Sequence, residues 1–224
     1  MSPLSSESQA TLLNPSSVSL VFSSDSMSDT SLLLGNGVLF RISTDKSGGQ
    51  TLIFDQRLDR MAAVIERNNI LPDTISFPTR HSGKKVKLSK WLTEQRHPSG
   101  MTVSGMETAI GKCFWKLDRT FRVAVFVSDD AELATPFAYL QPASSGSPTT
   151  LVIEASRLTL NEHGALQLND PTTLEVLYDI VVATIVLEHK ARMQEKRYQV
   201  ADGIVQHRRT GILGDPIVSN RGGV

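Results

Sequence analysis

The chain has 224 residues, which is enough for one large domain or two small ones. Its 23 lysines and arginines balance 23 aspartates and glutamates, so the whole chain has no electrostatic attraction to nucleic acid and no nucleic-acid partner is expected. The single cysteine, Cys113, excludes an intramolecular disulfide and a zinc site of the multi-cysteine kind.

Residues 1–17 are rich in serine and poor in large apolar side chains. Such a segment cannot bury enough apolar surface to offset the entropy of ordering, so we predict a disordered lead-in. It resembles neither a secretory signal peptide nor a mitochondrial presequence, because it lacks a basic start, an apolar stretch and arginines. The expected location is therefore the cytoplasm.

Short β-prone runs begin at SLVF, residues 19–22. The Gly-Asn-Gly at 35–37 separates two such runs, and both residue types tolerate the positive φ of a tight turn, which predicts a hairpin. Along its second arm Phe40 and Ile42 share one face, because side chains alternate along a strand.

Similar runs recur about every 8–12 residues, with a further hairpin expected around 161–164 and one helical turn near Trp91. The clearest strand is TFRVAVFVSD, 120–129. At period two Phe121, Val123, Val125 and Val127 should share one face. The spacing predicts a mainly β domain, an antiparallel barrel or sandwich of roughly ten to twelve strands.

The pattern changes after residue 169. Asp170 can cap a helix, Pro171 suits the first helical position, and Thr172 and Glu175 have the spacing of a capping box. These signals predict one helix over about 171–197, with cations near its end. A long strand is the alternative, since Val, Ile and Thr favour strands, but it would exceed the usual strand length.

The first half of this helix, residues 176–187, has only two plainly polar side chains, Asp179 and Thr184. It is too short to span a membrane, which takes about 20 apolar residues. A helix that is apolar nearly all round must be buried on nearly all sides, so we predict that the sheet wraps around it. The single domain would then cover 18–198, followed by a flexible glycine-rich tail over 199–224.

Four short sequence segments resemble those of known families. They are SLVF, the hairpin LLLGNGVLFRIST, the GKCFWKL segment before a strand containing VAVF, and the helix LEVLYDIVVATIVLEHKAR. On these, over roughly 18–197, the chain resembles an uncharacterised domain family of mushroom-forming fungi. The order of elements is similar to that of the tubby-like C-terminal domain, the phospholipid scramblases and the LURP-one-related proteins of plants. The resemblance implies a barrel around a C-terminal helix and a fungal source, and it implies no reaction.

No sequence motif indicates an enzyme, and no cofactor or metal is expected. The histidines lack metal-ligand spacing, and neither a nucleophile elbow, a phosphate-binding loop nor a dinucleotide fingerprint occurs. Lys112 could activate the Cys113 thiol, but a free cysteine is more often buried. Asp179 is either a buried switch or a structural carboxylate bonded to a strand.

The densest basic segment runs from residue 80 to residue 97 and contains one acid, Glu94. It loosely resembles the anionic-lipid site of tubby-like domains, and a cation there adds about 1 kcal/mol near an anionic surface. A charged segment is also commonly just a solvated surface. The candidate ligand-binding residues are Arg80, Lys84, Lys85, Lys87, Lys90 and Trp91.

Three hypotheses about function follow from the sequence. The first, which we favour, is a non-enzymatic domain that binds an anionic lipid headgroup or a protein partner. The second is a structural or scaffold protein that acts through flexible termini. The third is an enzyme without a recognisable motif, which would need a polar pocket with shifted pKa values.

Overall fold

The computed structural model of the chain describes residues 17–98, 100–118, 121–127, 135–155, 158 and 167–211. In this part of the chain the strands are β1 (Ser17–Phe22), β2 (Asp29–Leu34), β3 (Gly37–Thr44), β4 (Gln50–Asp55), β5 (Arg60–Glu66), β6 (Thr74–Ser76), β7 (Val86–Lys87), β8 (Thr93–Arg96), β9 (Thr102–Thr108), β10 (Gly111–Asp118), β11 (Arg122–Val127), β12 (Ala138–Gln141) and β13 (Thr150–Glu154). The helices are α1 (Leu88–Trp91) and α2 (Pro171–Gly211), with a short 3-10 turn at His81–Gly83.

All thirteen strands belong to one antiparallel sheet, in the spatial order β7-β6-β5-β4-β3-β2-β1-β13-β12-β11-β10-β9-β8. The first and last strands of the chain, β1 and β13, lie side by side in its middle. The two edge strands, β7 and β8, are consecutive in the chain and are connected by α1. Within the described ranges no strand pairing joins them, so the sheet is barrel-like without being a fully hydrogen-bonded barrel.

The hairpin predicted at 35–37 is confirmed. Leu34 pairs with Gly37, and Gly35 adopts φ 58°, a left-handed conformation that glycine reaches without strain. Phe40 and Ile42 are fully buried on the inner face of β3. The predicted helical turn near Trp91 is α1, whereas the hairpin expected at 161–164 lies outside the described residues.

A β-bulge changes the face on which the start of β11 lies. Arg122 has φ 53°, and both Arg122 and Val123 pair with Leu140. The extra residue breaks the alternation, because a bulge places two residues opposite one. Val123, Val125 and Val127 share one face, as predicted, and are buried on the inside, but Phe121 packs on the outer face against Tyr139, with ring centroids 4.5 Å apart. The prediction that Phe121 shares the face of the three valines is therefore wrong.

Helix α2 begins at Pro171, as predicted. Asp170 is its cap, since its Oδ2 accepts a hydrogen bond from the backbone N–H of Thr173 at 2.7 Å. The helix has 41 residues and continues to Gly211, beyond the predicted end at about 197. Residues 199–211, predicted as part of a flexible tail, are thus helical, while 1–16 and 212–224 lie outside the described residues.

The sheet encloses the first half of α2. Every residue from 176 to 188 is buried, and since a helix turns once per 3.6 residues, such a run is covered on all sides. The Tyr178 ring meets the Phe40 ring of β3 edge-on at 5.7 Å. His189 is half-buried and Lys190 is exposed, so the helix leaves the sheet just after Glu188. Among the described residues no helix is long and apolar enough to cross a membrane.

Candidate functional site

The basic segment 80–97 does not form one continuous surface. Arg80 turns inward and forms two hydrogen bonds with Asp179 of α2, Nη2 to Oδ1 at 2.6 Å and Nη1 to Oδ2 at 3.1 Å. The Arg80 side chain is 14% exposed, and that of Asp179 is 2% exposed. The Arg80 guanidinium lies 4.1 Å from the centre of the Phe77 ring. Asp179 is therefore paired with a cation, in line with its structural interpretation.

Two more of the predicted ligand-binding residues are engaged within the protein. Lys85 Nζ lies 2.6 Å from a carboxylate oxygen of Glu66 on β5. This pair holds the pKa of Glu66 below its usual range, the Lys85 hydrogen bond being the largest cause. Trp91 is half-buried and packs against Phe77, with ring centroids 5.5 Å apart. An anchor in a lipid interface would need a more exposed ring.

The remaining three predicted residues form a surface that we call the basic edge. Its members, Lys84, Lys87 and Lys90, are exposed and lie along β7 and α1 at one edge of the sheet. Within the described residues none of them forms an ion pair. Their charges are therefore available to an external anion.

An apolar loop lies beside the basic edge, between β5 and β6. Ile70 is 95% exposed and Leu71 is 69% exposed, and we call these two residues the apolar tip. Hydrogen bonds hold the base of the loop, because Asp73 Oδ1 accepts from the Asn68 N–H at 2.9 Å and the Asp73 carbonyl accepts from the Leu88 N–H at 2.8 Å. The tip is thereby fastened to the start of α1.

Sequence reasoning missed the apolar tip. The dipeptides Asn-Asn before the tip and Pro-Asp after it indicate a turn. An Ile-Leu pair in a turn has no strand face on which to be buried. An apolar pair inside a predicted turn was therefore the sequence signal that could have indicated an exposed apolar tip. A groove of about 320 Å³ adjoins the loop, and its walls combine apolar residues such as Pro72 and Leu88 with charged ones such as Glu94 and Lys190.

An ion-pair network surrounds the point where α2 leaves the sheet. Glu188 is fully buried, and its carboxylate accepts hydrogen bonds from Arg122 Nε at 2.6 and 2.7 Å and from Arg192 Nε at 2.6 Å. Arg122 also contacts Glu195 at 3.0 Å through both of its terminal nitrogens. These bonds, to Glu195 first and then to Glu188, raise the pKa of Arg122 and lock its charge.

A separate cavity of about 370 Å³, which we call the arginine cavity, lies at the opposite end of α2, where the helix begins. Its lining residues include Arg60, Thr79, Arg80, Asn169, Glu175 and Tyr178. Tyr178 donates its hydroxyl to Oδ2 of the buried Asp55 at 2.7 Å. Burial, followed by this hydrogen bond, raises the pKa of Tyr178 to about 12, so the phenol is neutral.

The other sequence candidates for chemistry lie in structural positions. Cys113 is 1% exposed, so its thiol lacks the access that a nucleophile needs. His97 is buried edge-on against Phe114 at 5.7 Å. In the described ranges no three His, Cys, Asp or Glu side chains lie close enough to hold a metal ion.

A family model matches residues 25–193, which extend from the loop after β1 to the point where α2 leaves the sheet. Its description is a family of unknown function, DUF6593. The chain belongs to DUF6593. The predicted membership of an uncharacterised domain family is confirmed to this extent. The match covers the enclosed half of α2, the basic edge and the arginine cavity. Neither the curated proteins nor the solved structures contain a match to this DUF6593 chain.

Proposed function

We propose that this domain is a non-enzymatic binding module that docks on an anionic lipid surface. The observation that carries the proposal is the position of the apolar tip, Ile70 and Leu71, beside the basic edge, Lys84, Lys87 and Lys90. Thr74, just after the loop, pairs with Lys87 on β7, so the two features are neighbours on one part of the surface.

The two features complement the two layers of a lipid surface. Each lysine near an anionic headgroup adds about 1 kcal/mol of attraction. Ile70 and Leu71 would bury apolar surface below the headgroups, and full burial of one such side chain contributes about 1.5–3 kcal/mol. Neither feature is engaged within the described protein, so docking would not break the fold.

The test is co-sedimentation with vesicles at low and physiological salt. We expect binding to vesicles that carry phosphatidylserine or a phosphoinositide at matched charge, and none to pure phosphatidylcholine vesicles. Lys84→Glu, Lys87→Glu and Lys90→Glu together should abolish binding. Ile70→Ser with Leu71→Ser should weaken binding without changing its salt dependence, since no charge is altered.

The matched control is Arg41→Glu, which reverses one exposed cation on the outer face of β3. Lys87→Glu changes the net charge of the protein by the same amount at the basic edge. We expect Lys87→Glu to weaken binding at least fivefold and Arg41→Glu to leave it unchanged. Equal losses in the two variants, or no binding of the wild type to anionic vesicles at low salt, would overturn the proposal and direct the search to a protein partner.

The proposal also includes a tubby-like fold, a fungal source and a cytoplasmic location. The helix enclosed by an antiparallel sheet supports a tubby-like plan, and the four sequence segments support a fungal source. The buried free thiol of Cys113 fits a reducing compartment such as the cytoplasm.

A further inference from the structure

The arginine cavity contains a cation, Arg60, that has no counterion among the described residues. Arg60, the first residue of β5, reaches Tyr178 with Nη2 to the phenol oxygen at 3.4 Å, which is a weak contact. Among the described residues no carboxylate lies within ion-pair distance of Arg60. The neighbouring carboxylate of Asp55 already accepts hydrogen bonds from the Tyr178 hydroxyl and from the backbone N–H groups of Arg57 and Leu58.

Each of the two arginines that line this cavity has one buried donor without an acceptor among the described residues. The Nε atoms of Arg60 and Arg80 are both buried and make no hydrogen bond within the described protein. A buried N–H of a charged group that lacks an acceptor is energetically costly. Arg80 already uses its two terminal nitrogens on Asp179, which leaves Nε as its unused donor.

We infer that the arginine cavity is a binding site for a phosphate group, with Arg60 as its principal cation. A phosphate offers several strong acceptor oxygens and at least one negative charge, and a guanidinium matches that geometry better than an ammonium does. Thr79 and Asn169 line the same cavity, and their side chains carry further donor groups; the amide oxygen of Asn169 accepts a hydrogen bond from Arg57 Nη1 at 2.9 Å. The α2 N-terminus is already capped by Asp170, so the site depends on the side chains.

The phosphate site lies apart from the surface proposed to dock on lipid. Arg60 is at the first residue of β5, whereas the apolar tip follows the last one, Glu66, at the other end of the same strand. The arginine cavity also has room for more than an inorganic ion, since about 370 Å³ matches the lower end of small-molecule sites. A phosphate ester therefore fits as well as free phosphate.

The test is isothermal titration calorimetry of the full chain with inorganic phosphate, glycerol 3-phosphate and a soluble short-chain phosphatidic acid, and with acetate as the carboxylate control. We expect phosphate compounds to bind and acetate to bind at least tenfold more weakly. Tighter binding of the ester would identify a free metabolite as the source, and tighter binding of the phosphatidic acid would identify a lipid headgroup. Absence of binding by all three phosphate compounds would overturn the inference.

The variants separate a binding role from a structural one. Arg60→Met should weaken phosphate binding at least tenfold, while Arg41→Met, its exposed counterpart on β3, should leave it unchanged. Glu175→Gln should strengthen binding severalfold, because Glu175 places a negative charge in the wall of the cavity. A failure of Glu175→Gln to strengthen binding, in a variant that melts like the wild type, would count against the site. Vesicle binding through the basic edge should be unchanged in Arg60→Met, so the two proposals fail independently.

Discussion

Arg80 and Asp179 join the loop after β6 to the enclosed part of α2 through two hydrogen bonds, at 2.6 and 3.1 Å. Arg80→Leu leaves the Asp179 carboxylate, only 2% exposed, without its guanidinium. We expect a loss of about 3–5 kcal/mol in the free energy of unfolding, as for other broken buried pairs. Urea denaturation of the wild type and of Arg80→Leu measures this difference in the free energy of unfolding.

The double variant Arg80→Leu, Asp179→Leu is the control for this pair. It removes both charges together, so most of the lost stability should return. The exposed pair Lys85–Glu66 gives the scale for a surface contact, and Lys85→Gln should cost less than about 1 kcal/mol. A double variant as unstable as Arg80→Leu would mean that the pair is not what stabilises this loop.

Tyr178→Phe tests the hydrogen bond between the helix and the buried Asp55. The substitution keeps the aromatic ring against Phe40 and removes only the hydroxyl that donates to Asp55 Oδ2. A buried acceptor that loses its donor costs about 1–3 kcal/mol, and thermal and urea denaturation should show that loss. Tyr198→Phe, at an exposed position of the same helix, should change stability by nearly nothing. Equal effects of the two substitutions would contradict the role of the hydroxyl.

Val181→Asp tests the central position of α2. Val181 is 1% exposed in the all-round buried part of the helix, so a carboxylate there would be removed from water. We expect a loss of more than about 4 kcal/mol, seen as missing near-ultraviolet circular dichroism and a collapsed melting transition. Met193→Asp, beyond the exit from the sheet, is the matched control and should melt close to the wild type. If Val181→Asp melts like the parent, the enclosed helix is refuted.

His189 should make stability depend on pH. Burial, and then the charges of Arg67 and Lys196, lower the pKa of His189, while Asp73 acts in the opposite direction. The folded protein therefore favours neutral imidazole, and the unfolded chain takes up a proton below its ordinary pKa of 6.5. This contribution is fully present above 6.5 and is lost as the pH falls below that value.

The measurement for His189 is urea denaturation of the wild type and His189→Gln at about pH 7.5 and about pH 5.5. All other groups titrate in both proteins, so the difference between them isolates His189. We expect the wild type to lose more stability than His189→Gln on acidification. A wild type that loses less would show that the imidazolium is favoured in the folded state.

The sequence alone determined the local structure. The Gly-Asn-Gly turn, the alternation of Phe40 and Ile42, and the start of α2 at Pro171 each depend on neighbouring residues, so composition and spacing were sufficient. The enclosure of α2 was also predictable, because a helix without a polar face must be covered on every side.

Only the tertiary structure decided which charges are available. Arg80 and Lys85 belong to the same basic segment as Lys87, yet their partners, Asp179 and Glu66, are distant in the chain. The exposure of Ile70, and the position of Arg60 in a cavity without an ion-pair partner among the described residues, likewise depend on what the rest of the chain brings alongside them. Pairing across long separations has no periodic signature in sequence, because it is set by the register of the strands and the path of the helix through the sheet.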